Sequence, residues 1–136
     1  MSYTKISKKE RDYLVLIFEM TKEFPVRVRD LAEATNVSEP TAYEYCVRLS
    51  QKGLVAMKKG MLKLTQKGSE VVAEIIKAHR VLETLFYKNG VDAEESCAEC
   101  SKIDYLLDKK TVEKLYTKLG KPERCPHGRP IVVSER

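Results

Sequence analysis

The chain of 136 residues is 43% hydrophobic and 33% charged, which suits one compact domain or two small ones. That balance excludes both a large multidomain enzyme and a disordered chain too poor in apolar side chains to offset its ordering entropy. Its net charge of +5, from 25 Lys/Arg and 20 Asp/Glu, is concentrated in the first half, a balance compatible with contacts to phosphate.

Ser7-Lys8-Lys9-Glu10 fits a capping box, in which hydroxyl and carboxylate satisfy each other's orphan backbone donors. A first helix is expected from there to about Lys22. Tyr13, Leu14, Leu16, Ile17 and Met20 recur along it with helical spacing, and Pro25 stops its continuation. A short amphipathic helix over Val28–Thr35 turns Leu31 and Ala32 inward. After a turn at Asn36-Val37, Ser38 caps a third helix to about Gln51, with Pro40 tolerated in its first turn. Ala42, Tyr45, Cys46 and Leu49 share one face of it, and Gly53 closes it. The runs Leu54–Lys58 and Met61–Thr65 read as a two-stranded hairpin around Lys59-Gly60. One long helix is expected over Gln66–Lys88, ended by Asn89-Gly90. Two further helices over about Asp92–Leu107 and Lys109–Leu119 precede a tail, Gly120–Arg136.

Three helices followed by a small basic hairpin is the order of a winged helix-turn-helix. The fold class expected is therefore mainly α, with a winged helix-turn-helix over residues 1–70 and an all-helical domain over 71–136. In such a motif the third helix lies in the major groove with its first residues on base edges. Ser38 and Thr41 can hydrogen-bond phosphate or bases, Pro40 and Tyr43 offer apolar contact, Glu44 can accept from a cytosine amine, and Arg48 lies on the same exposed side. Arg27, Arg29, Lys58 and Lys59 would supply phosphate contacts blind to sequence. Each of these residues taken singly is also what any solvated helical domain carries. The unit Val28–Leu54 taken whole points to double-stranded DNA.

No apolar run approaches the roughly 20 residues that cross a bilayer. The start, Met1 to Glu10, has no apolar core followed by a small-residue cleavage site. A cytoplasmic location with no membrane partner is expected. There Cys46, Cys97, Cys100 and Cys125 stay reduced, which favours metal ligation or redox sensing over a disulfide framework.

Several stretches together resemble the DtxR/MntR family of metal-dependent transcriptional repressors, over nearly the whole chain. Asp30-Leu-Ala-Glu-Ala-Thr-Asn-Val-Ser-Glu-Pro-Thr is similar to the helix-turn-helix of that family. Gln51-Lys-Gly-Leu-Val and Leu64-Thr-Gln-Lys-Gly are similar to its wing and following helix start. Ala78-His-Arg-Val-Leu-Glu83 resembles its His-Arg-Leu-Leu-Glu stretch, and Cys125-Pro-His-Gly-Arg-Pro-Ile matches its Cys-Pro-His-Gly-Asn-Pro-Ile signature in all but one place. The resemblance implies a homodimer whose second domain supplies the dimer interface and the metal sites, with metal ordering two reading heads to fit an operator. Many family members continue into an SH3-like third domain, and the sequence corresponds to the two-domain form.

His79 and Glu83 are four apart in an expected helix, so both project from one face. Cys97 and Cys100 are three apart on another, while Cys125 and His127 flank a proline in a loop. These six donors suit zinc or ferrous iron, and the thiolates argue against manganese. Six exceed a tetrahedral shell, so some must be outer groups, serve a second ion or stand aside. The resemblance places His79, Glu83 and Cys97 in the ancillary metal site of the family, joined there by Cys125 and His127. At its primary site Asp12 matches the N-terminal ligand, but Ser101, Asp104 and Tyr105 stand where a Cys or Glu, a Glu and a His are expected. Asp12 and Asp104 are left as candidates for a weak second site.

The function expected is a metal-dependent transcriptional repressor of metal homeostasis, binding operator DNA as a homodimer. Two alternatives stay open: a winged-helix regulator with a structural zinc, and a thiol redox switch at Cys97 and Cys100. No nucleophile–base pair, phosphate-cradling glycine loop or paired carboxylates in a cleft point to an enzyme or to a small organic substrate.

Overall fold

The structure, a computed structural model, describes residues 5–21 and 25–133. In chain order it runs α1 (Lys8–Met20), β1 (Val26–Arg27), α2 (Val28–Thr35), α3 (Glu39–Gln51), β2 (Val55–Lys58), β3 (Met61–Leu64), α4 (Gln66–Lys88), α5 (Ala93–Ile103), a 3₁₀ turn (Asp104–Leu106) and α6 (Lys109–Lys118). The chain separates into two compact units, divided between Val72 and Ala73 inside α4. No helix of the described residues is long and apolar enough to cross a membrane.

The first unit is built by local signals. At the start of α1 the Ser7 hydroxyl accepts from the Glu10 amide at 3.1 Å, and a Glu10 carboxylate oxygen accepts from the Ser7 amide at 2.8 Å. The expected extension of α1 to Lys22 ends earlier, at Met20, with Thr21 as cap; Lys22 itself lies outside the described residues. Asn36, in the left-handed region (φ 55°), turns the chain out of α2, and Ser38 caps α3. Leu14, Ile17, Leu31, Leu49 and Leu54 are fully buried between these helices, each such side chain contributing about 1.5–3 kcal/mol.

The hairpin forms with Val55 opposite Leu64 and Lys58 opposite Met61. Lys59 (φ 52°) and Gly60 (φ 75°) make its two-residue turn, and two positive φ values match the right-handed twist of the strands. A third strand, β1, adds to the expected hairpin. Val26 pairs with Leu62 and is wholly buried, so the sheet order is β1-β3-β2.

In the second unit Ala78, Val81, Val112, Cys125 and Ile131 form a buried cluster with Leu107, Leu115, Tyr116 and Leu119 packed against it. The helix expected to reach Leu107 ends at Ile103, whose φ of −131° leaves helical geometry. Asp104 then begins the 3₁₀ turn with its side chain fully buried.

Two features of the first unit generate predictions. At Gly68, in the first turn of α4, a Cβ would lie 1.9 Å from the Leu54 carbonyl oxygen, a backbone atom that cannot swing aside. Gly68→Ala should therefore destabilise the protein by about 1–3 kcal/mol by overpacking. That outweighs the propensity gain of about 1 kcal/mol for alanine in a helix, and urea unfolding checks it. The second concerns Glu10, buried in α1 with Lys52 Nζ at 2.6 Å. Burial alone would raise its pKa, but the Lys52 hydrogen bond and the Ser7 amide outweigh this and hold it below the ordinary value. Because the folded pKa is the lower one, the stabilisation is fully present above the unfolded pKa of about 4.3 and is lost as pH falls through the folded one. Glu10→Gln should cost about 1.5–3 kcal/mol at pH 7, and its deficit against wild type should shrink in acid unfolding titrations.

Candidate metal centre

Helix α4 places His79 and Glu83 one turn apart, and their facing atoms, Nε2 and Oε2, are 3.7 Å from each other. The Glu83 side chain is only 2% exposed, so its charge must be compensated on the spot. Asp92 caps α5 by accepting from the Glu95 amide at 2.9 Å. One turn further on, α5 brings Cys97 Sγ to 3.4 Å from His79 Nε2. The third contribution comes from the loop after α6. There Gly128 donates to Cys125 O, Cys125 donates to Arg129 O and Ile131 donates to Glu123 O. Arg80 reaches from α4 to Pro130 O. The loop so fastened brings His127 Nδ1 to 2.9 Å from Glu83 Oε2, with the Cys125 sulfur within 4.8 Å of that carboxylate.

Two groups of donors result: His79, Glu83 and Cys97, and Glu83, Cys125 and His127, the atoms within each group all lying within 4.8 Å of one another. They share Glu83. Burial pushes the Glu83 carboxyl up, but the neighbouring His79 and Cys125 side chains and the charges of both imidazoles outweigh it, drawing the pKa down to about 2. Burial likewise disfavours charge on His79, and the carboxylates of Asp104 and Glu83 more than offset it, raising its pKa. Two imidazoles, two sulfurs and one ionised carboxylate are the chemistry that binds a borderline-soft divalent ion. The residues present fit such an ion.

Of the six donors read from the sequence, five converge in these groups. Cys100 stands outside both. Three residues along α5 turn a side chain about 60° away from Cys97, and Cys100 is fully buried. Burial, together with the charges of Glu83, Asp104 and Cys97, pushes its thiol up to about 12. A thiol so held is a poor nucleophile, which weakens the Cys97/Cys100 redox switch. Cys46 is wholly buried in α3 as an apolar residue, its thiol pushed to about 11.

The two candidates for a weak second site have protein partners. In the first unit Asp12 Oδ1 is 2.6 Å from Lys8 Nζ and 3.0 Å from Arg11 Nη1. In the second, Asp104 Oδ2 accepts from His79 Nδ1 at 2.9 Å. Nothing in the sequence announces that hydrogen bond, which connects two residues 25 apart. Ser101 donates to Cys97 O within α5.

The DNA-facing candidates lie in the first unit. Pro40, Thr41, Tyr43, Glu44 and Arg48 are exposed along α3, while Ala42, Cys46 and Leu49 are buried beneath them. The Ser38 hydroxyl donates to Thr41 Oγ1 at 3.0 Å. Tyr45 packs on Tyr13 with ring centroids 5.0 Å apart, and the Arg48 guanidinium sits 5.3 Å from the Tyr45 centroid, a brace that fixes α3 on α1. Arg27, Arg29, Lys58 and Lys59 are all exposed.

Residues 65–132 match the family described as iron dependent repressor, metal binding and dimerisation domain. An uncharacterized HTH-type transcriptional regulator of Aeropyrum pernix is 30% identical over 103 residues, 75% of this chain and 57% of that protein. The iron-dependent repressor IdeR of Mycobacterium tuberculosis is 29% identical over 123 residues, 88% of this chain and 53% of its own length. The chain thus spans little more than half the length of these curated relatives. Among solved structures, the hypothetical protein SSo2273 from Sulfolobus solfataricus is similar with a TM-score of 0.81 at 32% identity, covering 94% of this chain and 100% of that one. With half of its residues inside the family match, and an archaeal regulator of transcription at 30% identity beside it, the chain belongs to the iron-dependent repressor family.

Proposed function

We propose that the protein is a cytoplasmic, metal-responsive repressor of metal homeostasis genes that binds operator DNA as a homodimer. The observation that carries this reading is the convergence of four donors, His79 from α4, Cys97 from α5 and Cys125 and His127 from the loop after α6, on the buried Glu83 carboxylate. A single divalent ion per chain would draw on His79, Glu83, Cys97, Cys125 and His127, with Zn(II) or Fe(II) preferred to Mn(II) because two of the donors are sulfur. Asp12, paired with Lys8 and Arg11, is left outside that set.

The ion would tie three segments of the second unit together, and α4 is common to both units. Such coupling works only if the ion binds the DNA-competent arrangement more tightly than the alternative, since equal affinity shifts nothing. The exposed side of α3 would read the major groove, with Thr41, Tyr43 and Glu44 towards base edges. Arg27, Arg29, Lys58 and Lys59 would hold phosphates.

Elemental analysis of untagged protein should find about one zinc or iron per chain, and removing the ion should weaken operator binding until it is restored. An ion that stays bound without affecting DNA affinity would make the site structural. A chain that takes up no ion would overturn the reading. Cys125→Ser and His79→Ala should each weaken Zn(II) binding by at least about 100-fold, since even outer groups of metal sites contribute 10–100-fold, as measured by chelator competition. At the wing, Lys58→Gln with Lys59→Gln should lower affinity for all sequences alike. It should also reduce the slope of log affinity against log salt by about 2, close to one unit for each phosphate no longer neutralised.

A further inference from the structure

We propose that Asp104 is the positioning residue for His79, holding its ring by Nδ1 so that Nε2 is delivered to the ion, and is not itself a ligand. This rests on the metal reading above and deepens it. A carboxylate oxygen can only accept, so the 2.9 Å contact between Asp104 Oδ2 and His79 Nδ1 requires a proton on Nδ1. The opposite nitrogen, Nε2, then faces the other donors, 3.4 Å from Cys97 Sγ and 3.7 Å from Glu83 Oε2. The donor group of His79, Glu83 and Cys97 does not include Asp104.

The backbone explains how this comes about. Cys97 and Asp104 are seven residues apart on one continuous segment, Cys97 within α5 and Asp104 at the start of the 3₁₀ turn that follows it. One segment therefore supplies both the sulfur beside one ring nitrogen and the carboxylate behind the other. The Asp104 side chain is fully buried, where its contact with imidazole is strengthened by the low local dielectric. A carboxylate behind a ligating imidazole fixes its tautomer and orientation and raises its basicity. The position that the family resemblance gives to a primary-site ligand is here turned to the service of the other site.

The test compares wild type with Asp104→Asn, which keeps an acceptor but removes the charge, and Asp104→Ala, which removes both. The number of Zn(II) ions per chain should be unchanged. Affinity by chelator competition should fall by about 10-fold in the first variant and about 100-fold in the second, the range expected of an outer partner. The visible bands of the Co(II) form should change in step. Nitrogen-15 NMR of wild type needs no variant to fold and should show His79 metallated at Nε2 with a proton on Nδ1. A second Zn(II) bound by wild type and lost in both variants, with the affinity of the first untouched, would make Asp104 a ligand and overturn the proposal. So would metallation at Nδ1, or variants that bind as wild type does. A wild type that takes up no ion overturns the metal reading, and this proposal with it; a wild type that binds one ion while the variants match it overturns this proposal alone.

Discussion

The second unit is organised around one ionised carboxylate placed where water cannot reach it. Glu83 sits on α4 with almost no exposed surface, and a charge so buried is tolerated only with partners of good geometry. His79 comes from the same helix, Cys125 and His127 from the loop after α6. Each of these contacts compensates the charge and at the same time points a donor atom at a common space. The electrostatic requirement of folding and the chemistry proposed for ion binding rest on the same side chains.

The first unit solves a different problem, presenting a polar helix face on a rigid base. The buried side of α3 is Ala42, Cys46 and Leu49, locked against α1 and α2. Tyr13, Tyr45 and Arg48 add a further contact between α1 and α3. The opposite side is left to residues with no structural duty in the core, Pro40, Thr41, Tyr43 and Glu44. A surface of this kind can change without loss of the fold, because packing and exposure are divided between the two sides of one helix.

Features written in contiguous residues are legible in the sequence. The Ser7–Glu10 box, the Ser38 cap with Pro40, the Lys59-Gly60 turn and the extent of α4 are local, and each forms where the sequence places it. Features set by distant partners are not. β1 is two residues long and exists because Val26 finds Leu62. The early end of α5 goes with the burial of Asp104 against a histidine on another helix. Cys100 looks equivalent to Cys97 by residue type and spacing, and only the rotation of α5 relative to α4 distinguishes them. The donors in the loop are recognisable through a family signature, since nothing in the periodicity of that loop announces them.

That loop carries a thermodynamic consequence. Its shape is supported by bonds among protein groups: Gly128 donating to Cys125 O, Cys125 donating to Arg129 O, Arg80 holding Pro130, and Ile131 sunk into the apolar cluster. Bringing Cys125 and His127 from a free tail to Glu83 would otherwise cost about 1–2 kcal/mol of backbone entropy for every residue ordered. Here the loop's own hydrogen bonds would offset part of that cost. The ion would meet a preorganised half-site, and its binding energy would remain available to bias one conformation of the protein over another.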